Sequence, residues 1–133
     1  LFRSVVYRAH VVAIESSRPV TLPEIAKGEQ YGPTWTPDGM DLAVGQEPGA
    51  SSSGAVALLR PGATPTALRA PERGFDVPVA WSAGATYLAA RTFDGKNSTS
   101  AGRESAVVIA RSGERYPVSA PGEVILVGWL PNA

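Results

Sequence analysis

Three tryptophans occur in similar local settings at almost equal intervals along this chain of 133 residues. The interval from Trp35 to Trp81 is 46 residues, and the interval from Trp81 to Trp129 is 48 residues. Turn-forming residues and then a short apolar run follow both Trp35 and Trp81. A strand-rich repeat of roughly 40–50 residues is typical of propeller blades, each of which is one small sheet. The repeat therefore predicts an architecture, while it indicates no particular ligand or activity.

The composition is that of one soluble domain that is large enough to bury a core. Hydrophobic residues make up 44% of the chain, and 12 basic residues balance 12 acidic residues. A chain without net charge lacks the positive field that attracts nucleic acid, so we expect no nucleic-acid partner. No apolar run approaches the roughly 20 residues that cross a bilayer, so we expect no membrane insertion. The absence of cysteine excludes disulfides and thiolate metal sites.

The same four-strand pattern can be traced in two copies, with the tryptophan in the first strand, a. A Pro-Asp-Gly turn at residues 37–39 follows the first copy of strand a and is a strong hairpin signal. We predict the later strands at residues 41–45 and 87–91 (strand b), 55–59 and 106–110 (strand c), and 66–69 and 116–119 (strand d). The tryptophans are expected to wedge between adjacent sheets, where large rings fill space.

The two ends of the chain complete the pattern. Residues 1–7, 10–14 and 20–22 have the character of strands b, c and d, and residues 123–130 that of strand a. We therefore predict an all-β fold, a β-propeller segment of about three four-stranded antiparallel blades. It forms one domain over residues 1–133, in which the split blade is closed by the N- and C-terminal strands. The blade boundaries are 1–31 (strands b, c and d of the split blade), 32–76, 77–121 and 122–133 (strand a of the split blade).

The first repeat carries a resemblance to a known family. Residues 35–44 read Trp-Thr-Pro-Asp-Gly-x-x-Leu-Ala-Val, which resembles the Pro-x-Trp-Ser-Pro-Asp-Gly-x-x-Leu-Ala-Phe repeat of TolB-like β-propellers. Residues 93–97 resemble the Asp-Gly-Asn loop of that family, whereas residues 82–85 depart from its turn motif. The resemblance implies a six-bladed propeller in an extracytoplasmic, periplasmic or cell-surface, bacterial protein. Because three blades do not close a ring, we expect a homodimer or a second chain to complete it.

Catalytic and metal-binding motifs are not evident. His10 is the only histidine, and the chain has no Gly-x-Ser-x-Gly elbow, His-Glu-x-x-His motif or P-loop. The oxygen-rich stretch from Asp94 to Ser98 lacks the alternating acidic residues of a calcium loop, and we interpret it as a polar hairpin loop. A propeller with a central metal would have to use Asp76 and Asp94. We expect no cofactor and no bound metal, and the pattern favours a non-enzymatic role without excluding an enzyme.

Unequal loop lengths point to one face as the binding surface. The a–b and c–d turns are short, whereas the loops predicted at residues 23–33, 47–54, 71–77 and 93–105 are long and mixed in composition. Long loops on a rigid scaffold usually carry binding residues. The candidate residues for a ligand or partner are Tyr31, Arg73, Phe75, Asp76, Asp94 and Asn97.

Two functions follow from this pattern and the resemblance. The first is a non-catalytic TolB-like scaffold that binds a protein, a peptide or a small ligand on its long-loop face, with a protein or peptide partner expected. The alternative is the propeller fragment of a prolyl-oligopeptidase-like serine peptidase without its hydrolase domain.

Overall fold

A computed structural model describes residues 7–25, 28–49, 53–122 and 128–130. These residues form ten strands and no helix, so the predicted all-β class is confirmed. The strands are β1 (Val11–Ala13), β2 (Arg18–Val20), β3 (Gln30–Trp35), β4 (Leu42–Gln46), β5 (Ala57–Leu59), β6 (Thr66–Ala67), β7 (Phe75–Trp81), β8 (Tyr87–Phe93), β9 (Glu104–Ala110) and β10 (Arg115–Pro117).

The strands pair into three antiparallel sheets. We call β1–β2 the N-terminal hairpin, β3–β6 sheet I and β7–β10 sheet II. In both four-stranded sheets the spatial order follows the chain order, so every connection joins neighbouring strands. The register is also repeated, because Trp35 lies opposite Leu42 in sheet I and Trp81 lies opposite Leu88 in sheet II. Each tryptophan thus ends the first strand of a four-stranded unit.

The first strands of sheets I and II begin earlier than the sequence predicted. Tyr31 lies in β3 and Phe75 and Asp76 lie in β7, although all three were expected in or beside loops. Gly32, Pro33 and Pro78 are turn-type residues, but both strands are edge strands, where a missing proline N–H costs no ladder bond. The register shifts between Tyr31 and Thr34 and between Pro78 and Ala80, so each strand absorbs its proline region as a bulge.

The loop asymmetry is smaller than the sequence suggested. The connections over residues 47–56 and 94–103 are long, but residues 68–74 form a link between β6 and β7 that is little longer than the short turns. We call the end of sheets I and II at which these three connections lie the long-loop end.

The main core lies between sheets I and II. Leu58 of sheet I and Leu68 of the link between β6 and β7 lie on one side of this interface. Trp81, Leu88 and Ile109 of sheet II lie on the other side. The other buried members are Ala43, Val56, Ala90 and Val107. Trp81 is therefore a wedge between two sheets, as predicted for the tryptophans, whereas Trp35 and Trp129 keep substantial exposed surface.

The opposite face of sheet I carries a second core. Leu42, Val44, Ala57 and Leu59 are buried there. The side chains packed against them come from the N-terminal hairpin and its flanks: Ala9, Val11, Leu22 and Ile25. Sheet I is consequently covered on both faces. In the part of the chain that the structure describes, sheet II is covered by another sheet only on the face toward sheet I.

The structure covers only part of the predicted split blade. Strand β1 falls inside the predicted strand c, and β2 ends where the predicted strand d begins. Residues 1–6 of the predicted strand b and 123–127 of the predicted strand a lie outside the described residues. Trp129 packs beside sheet II, where its indole N–H donates to the carbonyl of Ala80 at 2.9 Å.

Candidate binding surface

Three aromatic rings and one guanidinium form a column at the long-loop end. The ring centroids of Tyr31 and Phe75 are 4.9 Å apart, and those of Phe75 and Phe93 are 5.2 Å apart. The guanidinium of Arg91 lies 5.0 Å from the centroid of Phe93. Phe75 is only 2% exposed, so it fills the space between sheets and cannot offer a ring face to a ligand. Tyr31 and Phe75, two of the candidate residues, are therefore in direct contact. The accessible parts of the column are Tyr31, Phe93 and Arg91.

Arg91 is held over Phe93 by a two-point ion pair. Its Nε and Nη2 donate to the two carboxylate oxygens of Glu104 at 2.5 and 3.0 Å. The hydrogen bonds from Arg91 lower the pKa of Glu104, and they raise the pKa of Arg91 in turn. A bidentate pair fixes the guanidinium plane, which suits stacking on an aromatic ring.

The hydroxyl end of Tyr31 belongs to a polar group that joins sheet I to the loop after β8. Tyr31 donates to Oε2 of Glu29 at 2.9 Å, and the hydroxyl of Ser98 donates to the same oxygen at 2.6 Å. The hydrogen bond from Ser98, followed by that from Tyr31, lowers the pKa of Glu29. Burial, followed by the hydrogen bond to Glu29, raises the pKa of Tyr31 above its ordinary value. Tyr31 is therefore a neutral hydrogen-bond donor at any physiological pH.

Asp76 is a structural anion. Its side chain is 0% exposed, and its two oxygens accept hydrogen bonds from Nη1 and Nη2 of Arg115 at 2.7 and 2.9 Å. Nη1 of Arg115 also donates to the carbonyl of Arg69 at 2.9 Å, on the segment that links the two sheets. β7 and β10 are the two edges of sheet II, so this pair ties the sheet together across its width. Asp76 has no surface with which to touch a ligand.

A cleft of about 260 Å³ opens beside this ion pair. Arg73 on the β6–β7 link, Asp94 and Arg103 on the β8–β9 loop, and Arg115 on β10 contribute its charged groups. Its other lining residues are Pro71, Glu72, Thr92, Phe93, Ser105, Ala106, Val107, Pro117 and Pro121. The cleft thus brings together Arg73 and Asp94, two of the residues that the sequence singled out.

The charged side chains around the cleft differ in whether they already form ion pairs within the protein. Asp94 accepts the backbone N–H of Arg103 at 2.7 Å and its Nε at 3.2 Å, and these two contacts, in that order, lower the pKa of Asp94. Arg115 is committed to Asp76. Among the described residues Arg73 forms no ion pair, and its side chain is exposed. Arg73 is therefore the cation available to an anionic group in the cleft.

Asn97 shapes a turn and lies apart from the cleft lining. Its side-chain oxygen accepts the hydroxyl of Thr99 and the backbone N–H of Ser100, both at 2.9 Å. These bonds close the tip of the loop over residues 94–103, next to Ser98 and its contact with Glu29. Asn97 thus positions a loop, and its side-chain oxygen is already engaged in the two hydrogen bonds that hold this loop.

Four residues of this surface were not among the candidates that the sequence indicated: Arg91, Phe93, Glu104 and Arg115. Glu104 lies opposite Phe93, two residues along β8 from Arg91 and on the same side of the sheet, so the strand register contained the signal for that pair. Nothing in the local sequence marks Arg115 as the partner of Asp76, because the two residues lie on strands that are not adjacent.

In the described residues no group of three or more His, Cys, Asp or Glu side chains is arranged to hold a metal ion. Within those residues there is also no helix of the length and apolarity that crossing a bilayer requires. No protein-family model, no curated protein and no solved structure gives a match to this chain.

Proposed function

We propose that this chain is a segment of a TolB-like propeller and acts as a non-catalytic scaffold that binds a peptide segment of a partner protein at its long-loop end. Two features support the architecture. Sheets I and II are successive four-stranded antiparallel units in chain order, and they pack face to face with a repeated tryptophan between them. The TolB resemblance supports an extracytoplasmic location in a bacterium.

The observation that carries the binding proposal is the cleft beside Arg73. Its walls come from strands and from proline-rich links, so it is largely preformed, as binding sites usually are. The ring of Phe93 and the prolines offer apolar surface, and Arg73 offers an exposed cation. A short peptide that presents an apolar side chain next to a carboxylate matches this chemistry.

The test is selection of peptides from a random displayed library, followed by calorimetry with the selected sequences. We expect enrichment of peptides that carry Asp, Glu or a free C-terminal carboxylate beside an apolar residue. Arg73→Ala is expected to weaken binding by about 10-fold, in line with the loss of one charge-assisted hydrogen bond. Arg18→Ala is the matched control, because Arg18 is an exposed arginine on the N-terminal hairpin and lies far from the cleft in sequence and fold.

Two results would contradict the proposal. One is a library that yields no peptide with a dissociation constant below the millimolar range. The other is a set of binders that lose the same affinity with Arg18→Ala as with Arg73→Ala, since these would be recognising general positive charge.

A further inference from the structure

Large exposed apolar side chains are concentrated at the two ends of the stack formed by the hairpin, sheet I and sheet II. On the hairpin side Val12 is 55% exposed and Ile14 is 96% exposed. On the sheet II side Val118 is 60% exposed, and Tyr116 and Tyr87 are also exposed. Sheet I, which lies between the other two layers, contributes few such residues. Concentrated apolar surface of this kind marks an interface.

Comparison of the two repeats shows which face of sheet I corresponds to the exposed face of sheet II. In sheet I the N–H of Leu68 donates to the carbonyl of Val56 at 2.9 Å, and in sheet II the N–H of Val118 donates to the carbonyl of Ala106 at 3.0 Å. Val118 is therefore the counterpart of Leu68. Leu68 is buried in the core between the sheets, whereas Val118 is exposed.

The neighbouring positions agree. Thr66 lies opposite Leu58 in sheet I, and Tyr116 lies opposite Val108 in sheet II. Leu58 belongs to the same buried core as Leu68. We call the side of sheet II that carries Tyr87, Ala89, Val108, Tyr116 and Val118 its distal face. It is the counterpart of the face with which sheet I binds sheet II.

The chain itself places a side chain on the distal face. The indole of Trp129 lies 6.5 Å from the ring of Tyr87, measured between centroids, and bonds the carbonyl of Ala80. Trp129 is the third tryptophan of the repeat, and its predecessor Trp81 packs in the interface between sheets I and II. The distal face thus receives the tryptophan that begins the next layer.

The hairpin presents the complementary side. Val11 packs against sheet I, so Val12, the next residue of β1, lies on the opposite side of the hairpin. Ile14 follows β1 in the turn of the hairpin and is almost fully exposed. We call the side that carries Val12 the outer face of the hairpin. Within one chain the outer face and the distal face lie on opposite sides of sheet I, so they do not cover each other.

We propose that the distal face of sheet II binds the outer face of the hairpin of a second copy of this chain, head to tail. Inside the chain, the hairpin packs on one face of sheet I, and the opposite face of sheet I packs on sheet II. The proposed contact repeats this arrangement, because the far side of one layer binds the near side of the next layer. A head-to-tail contact that is made twice by two copies forms a closed ring. This inference does not depend on the proposed peptide binding, which concerns the long-loop end.

The first test is the mass of the purified chain by light scattering over a range of concentrations. We expect a dimer for the native chain, and a dissociation constant raised at least about 100-fold by either Val12→Asp or Val118→Asp, because each buries an unpaired charge. Met40→Asp is the matched control, because Met40 is a large exposed apolar residue of the middle layer. Circular dichroism shows whether each variant is folded.

Mixing the two variants separates a head-to-tail contact from a symmetric one. A mixture of Val12→Asp chains with Val118→Asp chains retains one fully apolar interface per pair, so it is expected to form more dimer than either variant alone. If Val118→Asp abolishes the dimer and Val12→Asp does not, sheet II binds another sheet II and the proposal is wrong. A native chain that stays monomeric overturns it as well.

Cross-linking provides a measurement that does not introduce a charge. The chain has no cysteine, so single Val12→Cys and Val118→Cys variants carry one thiol each. A short bismaleimide is expected to join Val12→Cys chains to Val118→Cys chains in a mixture. Equal yields from either variant alone would contradict the head-to-tail arrangement.

Discussion

At the scale of single residues, the position of Asp76 in the sequence is compatible with two roles, a ligand contact and a structural ion pair. A carboxylate near the long-loop end is a natural ligand contact, but Asp76 is fully buried and held by Arg115 through two hydrogen bonds. A buried ion pair adds little relative to an apolar pair, yet removal of one partner leaves the other charge without compensation. Asp76 is therefore expected to matter for folding and not for ligand recognition.

Replacement of this carboxylate tests that distinction. Asp76→Asn is expected to lower the free energy of unfolding by about 3–5 kcal/mol, since Arg115 keeps its charge and loses its partner. Asp94→Asn is the control, because the ion pair between Asp94 and Arg103 is exposed and screened by solvent, so its loss is expected to change stability far less. Urea unfolding measures both. Equal effects of the two substitutions would show that the Asp76 pair is no more important than a surface contact.

The sequence predicted part of this residue-level arrangement. Tyr31 and Phe75 occupy comparable places before the two tryptophans, and the structure places their rings 4.9 Å apart. Burial was not predictable, because Phe75 is covered only when β3, β7 and β8 come together and stack Tyr31 and Phe93 on either side of it. The partner of Asp76 was not predictable either, since sheet topology and not sequence spacing brings Arg115 to it.

At the scale of elements, glycine sets how closely sheets I and II approach. Gly45 of β4 lies against β7, and a Cβ atom added there would sit 2.2 Å from the carbonyl oxygen of Asp76. The contact is with backbone, which cannot rotate away as a side chain can. Any larger residue at position 45 must therefore push β4 and β7 apart.

Gly45→Ala is the substitution that isolates this contact. We expect a loss of about 1–3 kcal/mol in the free energy of unfolding, which is the usual cost of overpacking. Gly84→Ala is the control, because a Cβ atom there meets only the hydroxyl of Thr86 at 3.6 Å and neither glycine has a positive φ. Chemical denaturation measures the two variants side by side. If Gly45→Ala left the free energy of unfolding unchanged, β4 and β7 would not be in tight contact at this position.

Strand order was easier to predict than strand ends. The turn at residues 37–39 and the short apolar runs between turn signals identified β4, β5, β8 and β9, because these signals are local. The hairpin strand β2 was displaced: Leu22 was expected within it but lies beyond it and packs under sheet I instead. An apolar residue between two prolines has the same local signature whether it pairs in a strand or packs from a loop.

At the scale of the whole molecule, Asp41 connects the two large sheets. Its carboxylate accepts a hydrogen bond of 2.9 Å from Nε of Arg60, which directly follows β5 of sheet I. It accepts another of 2.5 Å from Nη2 of Arg111, which directly follows β9 of sheet II. The guanidinium of Arg111 also lies 5.2 Å from the centroid of Trp81. The hydrogen bond from Arg60, followed by that from Arg111, outweighs burial and lowers the pKa of Asp41.

The lowered pKa predicts how stability responds to acid. The contribution of Asp41 is complete above the ordinary aspartate pKa of about 3.9 and is lost as pH falls through the lower pKa of the folded state. Asp41→Asn is therefore expected to be less stable than the native chain by about 2 kcal/mol at neutral pH. That difference should shrink below about pH 4. Unfolding curves from pH 7 to pH 2 test this, and a difference that stays constant with pH would contradict it.

The double coverage of sheet I gives the molecule a preferred direction of unfolding. Among the described residues of a single chain, the hairpin and sheet II each contact one neighbouring layer. In the monomeric chain, at concentrations too low for two copies to associate, either layer can therefore separate while sheet I keeps part of its core. In a linear stack whose stability comes from contacts between neighbouring layers, the outer layers open first and the middle layer opens last. Amide hydrogens of β4 and β5 should accordingly exchange with solvent only through opening of the whole chain, whereas those of β1 and β2 escape through a local opening.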